Sequence, residues 1–418
     1  VAMTQYRYLD YGGTFDTESR SWYLEDVWDL SDSVTLSLGL RNESFENYNS
    51  DGQAFFDIED QWAPRFGLSW SPQGTADQTI TLNWGRFQQP MMAYPVTALG
   101  TGWVNFTRFF LDDGERDPVT AAPANIDGSG APTSEELGTA YVYADGSAAD
   151  TRASLDTSLE PMYQDEWMIG YERRLNENWT VGIRYINREL KSFIEDVLTL
   201  PGLEAIGFPG ATDGSQACTW VMTNPGTDIT TFCDVDGELT ETLIPAEALG
   251  IPSGRRTYEA IELVVDKSLS DDWMFHGSYT WSQNKGNIQG LLNTDVGSVA
   301  PHFTVQFDDW QHMDGAYGYL PNDRRHKLRL WGLYQATERL TVSALATAQS
   351  GKPINAFGVD HPDSPLLIGP GRPTFYVRNP DESFTYNPRG SAGRTDWVHQ
   401  LDLSAIYAFR WGDHAEVE

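Results

Sequence analysis

Apolar and polar side chains take turns along short segments of this chain, a pattern that no helix can carry. Leu36, Leu38 and Leu40 fall on one side of such a segment, Thr35, Ser37 and Arg41 on the other. A period of two belongs to the β-strand. Ile80, Leu82 and Trp84 oppose Thr79, Thr81 and Asn83; Val181, Ile183 and Tyr185 oppose Thr180, Gly182 and Arg184; Leu401, Leu403, Ala405, Tyr407 and Phe409 oppose Asp402, Ser404 and Arg410. The pattern predicts 12 strands, over residues 2–10, 18–29, 33–47, 60–71, 77–88, 161–174, 179–194, 256–268, 273–285, 323–335, 339–350 and 396–411. Short connections near Leu30–Asp32, Ser71–Ala76, Leu175–Asn178, Ser270–Asp272 and Ala336–Glu338 hold the residues that turn a chain readily. Long connections, over 89–160, 195–255, 286–322 and 352–395, alternate with them. Such hairpins have one terse rim and one variable rim, which is the pattern of an up-and-down barrel in a bacterial outer membrane, short turns toward the periplasm and long loops outside.

Composition agrees. Aromatic residues make up 13% of the chain, with 15 Trp, 19 Tyr and 19 Phe, yet mean hydropathy is only -0.44. No apolar run reaches the roughly 18 residues of a membrane helix. A membrane barrel needs apolar side chains only at alternate positions of strands about 10 residues long. Trp28, Trp70, Trp179, Trp273 and Trp411 lie near strand ends beside short turns, as in an interfacial aromatic girdle, although a soluble barrel or sandwich core also uses Trp this way. The net charge of -32 argues against nucleic acid, whose binding requires Lys and Arg to neutralise phosphates, and disfavours polyanionic ligands. The excess acid lies largely in expected loops, as at Asp112, Asp113, Glu115 and Asp117, where it aids solubility or gathers divalent cations.

Cys218 and Cys233 share one expected loop without metal-type spacing, and a local disulfide formed in an oxidising compartment accounts for them. Val1–Leu9 lack the basic flank and apolar core of a secretory leader, so an exported form is expected to have lost its leader or to carry it upstream.

Ser21–Trp28 followed by Leu36–Arg41, Trp62–Trp70, Leu320–His326, Ser350–Asn355, and Arg394–Trp397 leading into Leu401–Ser404 resemble, in order, the C-terminal barrel of TonB-dependent outer-membrane receptors, particularly the Oar-like group. The resemblance spans nearly the whole chain. It implies a barrel of 22 strands, of which about 12 are visible here, so that residues 1–418 form a partial barrel domain. Plug, TonB box and N-terminal domain would lie outside it, and Ala415–Glu418 would begin another strand. A complete 12-stranded barrel is the rival expectation.

Motifs of catalysis are scarce. HExxH, GxSxG, the Walker A loop and GxGxxG are absent from the sequence, and Ser282–Lys285 matches SxxK without its companion motifs. Asp234–Gly237 starts like a calcium loop but lacks the later ligands, and reads as a turn. Arg324, Arg325 and His326 abut a strand, which favours rim salt bridging over an anion site. No enzyme activity, cofactor or metal is expected. The loop aromatics Trp103, Phe106, Phe109, Phe110, Trp220, Phe232, Trp310, Tyr317 and Tyr319 either pack the loops together or contact a ligand, since a flat ring gives much contact at small entropic cost.

Three functions are weighed. The resemblance implies a receptor that captures a ligand with its loops and imports it through the TonB–ExbB–ExbD complex, surrounded by outer-membrane lipid and lipopolysaccharide. The ligand class stays open among peptide, protein, siderophore and oligosaccharide, with acid-rich loops favouring a cationic or metal-containing one. A passive channel or adhesin with the same barrel is the second, and a secreted β-rich carbohydrate-active protein the third.

Overall fold

The computed structural model describes residues 3–10, 16–49, 52, 54–72, 74, 77–90, 104–120, 122–145, 150–209, 218–290, 306–363, 373–411 and 415–417. Eleven long strands follow one another in an antiparallel meander: Thr17–Ser31, Val34–Tyr48, Ala54–Trp70, Gln78–Gln89, Met162–Arg174, Trp179–Ser192, Arg256–Ser270, Trp273–Gly286, His326–Gln335, Leu340–Gln349 and Val398–Tyr407. The two-residue strand Gly318–Tyr319 joins them beside Trp273–Gly286 and makes the sheet 12-stranded.

Register turns the alternation into two chemically distinct faces. One unbroken row of partners reads Leu36, Leu68, Leu82, Ile169, Tyr185, Ile261, Trp281. One residue away, on the other face, the row reads Thr35, Ser69, Thr81, Gly170, Arg184, Glu262, Thr280, Lys327, Gln349. Among the described residues nothing covers the apolar face: Leu24 is 70% exposed, Ile169 48% and Leu403 75%. Water disfavours an apolar sheet face of this extent, and hydrocarbon does not.

Five short turns close the hairpins at one rim. Between Ser270 and Trp273, Asp271 and Asp272 both take positive φ (50° and 66°), the pair of conformations a two-residue hairpin loop of matching twist requires. Lys267, on the apolar face, is buried against this turn: its Nζ donates to the Ser270 and Trp273 carbonyls at 2.7 and 2.9 Å and lies 4.2 Å from the Trp273 ring centre. Trp273 meets Trp179 edge-on at 5.9 Å, so two of the expected girdle residues touch. The side chain of Trp411 lies outside the described residues.

Three expectations change. Residues 2–10 do form a strand, Met3–Asp10, but it pairs with Val104–Leu111, which in turn pairs with Tyr141–Asp145, in a separate three-stranded sheet. Alternation specifies a strand without naming its partner. The third wall strand begins at Ala54, six residues before the expected start, so the connection from Tyr48 is short even though it lies at the long-loop rim. The long connections are also structured: 195–255 holds a Glu195–Leu198 pair with Trp220–Thr223, a hairpin of Ile229–Val235 with Glu238–Ile244, and two short helices. No barrel closure is seen among the described residues, where the sheet has two edges, Thr17–Ser31 and Val398–Tyr407, exposed along their lengths.

The buried apolar core sits at the long-loop rim. Phe45, Ile58, Met162 and Leu190, from the upper ends of wall strands, meet Ile194, Val221, Ile229, Ile244, Phe307 and Phe375 from the loops. The molecule thus consists of a two-faced wall and a folded cap on one rim.

Candidate ligand-binding cap

The expected ligand-contact aromatics fall into three separate neighbourhoods. Phe106, Phe109 and Phe110 lie on the Val104–Leu111 strand: Phe106 stacks on Tyr8 at 5.3 Å, Phe109 meets Tyr141 edge-on at 6.0 Å, and Phe110 is buried beneath Arg108. Trp220 and Phe232 belong to the region where Cys218 and Cys233 are joined by a disulfide, with Cα atoms 5.0 Å apart. There, Arg152 covers the Phe232 ring at 5.5 Å. Trp310, Tyr317 and Tyr319 form the third group, while Trp103 lies outside the described residues.

This third group stands on the segment that runs from the 3₁₀ turn Gln306–Asp308 through the one-turn helix Trp310–Met313, at whose start the Asp309 carboxylate accepts from the Gln311 N–H. Trp310 packs against the core and meets His361 in a T-shaped pair, ring centres 5.3 Å apart. His361 is buried, and meets Tyr376 edge-on at 4.8 Å. Its Nδ1 accepts from the Asp363 N–H at 3.1 Å, while Nε2 lies 3.5 Å from Asp314 Oδ2. Tyr376 donates its hydroxyl to the same Asp314 oxygen at 2.6 Å. Burial first, and then the Asp314 carboxylate, push the Tyr376 phenol well above its usual range; Tyr386 beside it is raised for the same two reasons. Tyr386, which packs on Tyr376 at 4.9 Å, and Tyr317 are about half exposed, so open aromatic surface lies beside the buried His361. Sequence reasoning missed His361, Asp314, Tyr376 and Tyr386, because they meet across separations such as the 47 residues between Asp314 and His361.

Tyr319 is different. The Arg325, Lys285 and Arg394 cations lie 4.6, 4.8 and 5.6 Å from its ring centre. A hydrogen bond from Arg325, then the charges of Arg325 and Lys285, lower its phenol pKa. Beneath lies Asp323, its side chain fully buried, accepting from the Asn284 N–H at 2.6 Å and paired with Arg325 at 3.3 Å and with Arg394. Arg324 donates to the Ser350 carbonyl and His326 bonds Tyr279. The Arg324–His326 run is therefore engaged in rim pairing, and Ser282 Oγ donates to the Arg324 carbonyl. At Asp234–Gly237 the carboxylate accepts from the Gly237 N–H and caps the hairpin turn.

Among the described residues, no group of three His, Cys, Asp or Glu is placed to hold a metal ion. The acidic loop instead binds itself: Asp117 accepts from the N–H groups of Val119 and Thr120, and Asp127 from the Ser129 hydroxyl and the Ser129 and Ala131 N–H groups.

A two-faced antiparallel wall with a cap on one rim agrees with the family comparison. Residues 47–398 match the model of the outer membrane beta barrel domain. The chain belongs to that family. The family places this barrel domain in the bacterial outer membrane and is not one of enzymes. Among curated relatives, the TonB-dependent transporter Oar of Myxococcus xanthus is 24% identical over 404 residues, covering 93% of this chain and 33% of the transporter. The chain thus spans about a third of that relative's length. Solved structures similar to it include the siderophore receptor PiuA from Acinetobacter baumannii, with 13% identity, TM-score 0.46, and 96% and 38% of the two chains covered. The FrpB iron transporter from Neisseria meningitidis matches with 10% identity, TM-score 0.45, and coverage of 94% and 39%.

Proposed function

We propose that this barrel domain is part of a TonB-dependent receptor whose long loops face outward, capture a ligand and pass it inward with energy from the TonB–ExbB–ExbD complex. The observation that carries this reading is the cap: the protein's hydrophobic core is spent on folding one set of connections, while the other rim has only tight turns. Loops that serve only as linkers do not need a core of their own. The Oar similarity supports the coupling partner. Among the described residues both sheet edges carry unpaired backbone along their lengths, which is expensive in hydrocarbon, and this supports closure by further strands into a wider barrel. A plug and TonB box would come from outside residues 1–418.

The exposed rings of Tyr386, which packs on Tyr376, and of Tyr317 are the ligand contacts favoured on the cap, with Phe106 and Phe109, in their separate neighbourhood, as a second group. The acid around them supports a cationic or metal-containing ligand, which leaves peptide, protein, siderophore and oligosaccharide distinguished by charge. The test uses cells carrying the intact protein and two labelled peptides of equal length and opposite charge. The cationic peptide should bind at the surface with or without TonB and accumulate inside only with it. Preference for the anionic peptide overturns the ligand assignment. TonB-independent entry, with steady conductance in planar bilayers, establishes the passive channel instead.

A further inference from the structure

Within the cap sits a histidine with both nitrogens engaged. His361 is 1% exposed and closed in by the rings of Trp310 and Tyr376. Its Nδ1 accepts from the Asp363 N–H, and the Asp363 carbonyl is held in turn by Gln311 Nε2 at 2.6 Å. The neutral ring therefore carries its hydrogen on Nε2, the nitrogen 3.5 Å from Asp314 Oδ2. Other charges border the ring. Asp363 Oδ2 lies 4.0 Å from Nδ1 but its side chain is 73% exposed, so solvent screens it. Asp360 pairs with Arg378 at 3.7 Å, and Arg378 also reaches Glu382. His312, on the helix of Trp310, turns its Nδ1 to the Pro373 carbonyl.

Asp314 links this buried ring to the surface. Its Oδ2 accepts from the Tyr376 hydroxyl and faces His361, yet the side chain is 39% exposed. Among the described residues it pairs with no Lys or Arg. The next residue, Gly315, has a φ of 86°, and a Cβ there would stand 2.8 Å from Tyr386 Cε2. The half-exposed Tyr386 ring thus lies against the backbone next to Asp314. A carboxylate without a fixed cation, beside an open aromatic ring, suits an ammonium or guanidinium group, which both attract.

We propose that Asp314 is one counter-charge with two claimants, a basic side chain of the captured ligand from outside and a proton on His361 from inside, so that the cap holds its ligand at neutral pH and releases it in mild acid. A proton on His361 sets a positive charge 3.5 Å from Asp314 and cancels the attraction the ligand depends on. It also puts a second hydrogen on Nδ1, toward which the Asp363 N–H already points, so residues 361–363 must shift. Histidine ordinarily changes charge between about pH 5 and 8. An arginine of the ligand stays charged throughout that range, and carboxylates ordinarily stay ionised in it. The coupling is reciprocal: a bound cation must oppose protonation of His361 by the factor by which the proton opposes binding.

This inference rests on the cationic ligand proposed above, and its test separates the two. The intact protein in mild detergent is titrated with an arginine-rich peptide and with its copy carrying citrulline, a neutral isostere of arginine, at about pH 7.5 and about pH 5.5. The arginine peptide should bind about tenfold more weakly at the lower pH, within the ordinary range of coupling between sites, while the citrulline copy binds weakly at both. Asp314→Asn, which keeps an acceptor for Tyr376, should bring the arginine peptide toward the citrulline level, and His361→Gln should flatten the pH dependence. Both variants should keep the heat-modifiable mobility of the folded barrel. Without peptide, the nitrogen NMR signals of His361, identified by their loss in His361→Gln, should show the Nε2–H tautomer at the upper pH and protonation across the same window; the arginine peptide should move that protonation to lower pH. An arginine preference that ignores both substitutions leaves the cationic ligand standing and overturns this site. A His361 that stays neutral throughout, or a pH step that survives His361→Gln, also overturns it. Equal binding of the arginine and citrulline peptides, or none of either, overturns both readings.

Discussion

At the scale of single residues, carboxylates decide how the cap holds together. Asp323 is the counter-charge of Arg325 and Arg394 and also accepts the Asn284 N–H. Asp323→Ala leaves two guanidinium groups facing each other. Loss of a buried partner ordinarily costs 3 kcal/mol or more, but both arginines are partly exposed (18% and 31%), and solvent reduces the expected loss to roughly 2 kcal/mol. Denaturant unfolding followed by Trp fluorescence measures it, and Asp323→Asn, which keeps the bond to Asn284, should lose less. Asp127 predicts a pH dependence. The Ser129 hydroxyl first, then the Ser129 N–H, hold its carboxyl below the usual carboxylate range. With the folded pKa below the unfolded one, the ordering is complete above the ordinary value of about 3.9 and is lost as pH falls through the depressed one. Amide exchange at Ser129 and Ala131, corrected for intrinsic rate, should stay slow above that value and quicken below it; in Asp127→Asn the acid-specific step should vanish.

At the scale of strands, neighbouring positions have opposite surroundings. Leu403 is on the apolar face and Ser404 on the polar one. Leu403→Arg should destabilise the folded barrel by about 2–4 kcal/mol, as for a charge near the bilayer midplane, and Ser404→Arg by much less; equal losses in a liposome refolding titration would contradict the two-faced wall. This contrast was legible in the sequence because it depends only on a residue's parity within its strand. Pairing was less so. Met3–Asp10 alternates like the wall strands but hydrogen-bonds to Val104–Leu111, some hundred residues away, and nothing local distinguishes the two fates. The Ala54–Trp70 strand begins early because its partner Val34–Tyr48 extends equally far above the wall. The site was legible in part: Tyr317 and Tyr319 stand out as loop aromatics, whereas the bonds joining Asp314, His361 and Tyr376 arise only when residues 306–316, 357–363 and 373–376 pack together.

At the scale of the molecule, wall and cap are held by different physics and should fail separately. The wall depends on backbone pairing between adjacent strands and on hydrocarbon against its apolar face, so removing lipid or detergent should collapse it. The cap is a water-facing fold with its own hydrophobic core, cross-linked at Cys218 and Cys233. That disulfide joins residues 15 apart in sequence, and a loop of this size stabilises the fold it closes by about 3 kcal/mol when formed. Replacing both cysteines by alanine, or reducing them, should therefore open the region around Trp220–Ile244 to limited proteolysis and lower affinity for any ligand seated on the cap. Because Ile229, Val221 and Ile244 pack onto Ile194 and Leu190 at the top of the wall, the damage should stop at that rim, and the heat-modifiable band of the folded barrel should remain. If reduction instead abolishes the folded band together with the cap, the two parts form one cooperative unit, and the long loops are structural members of the barrel and not a receptor surface mounted on it.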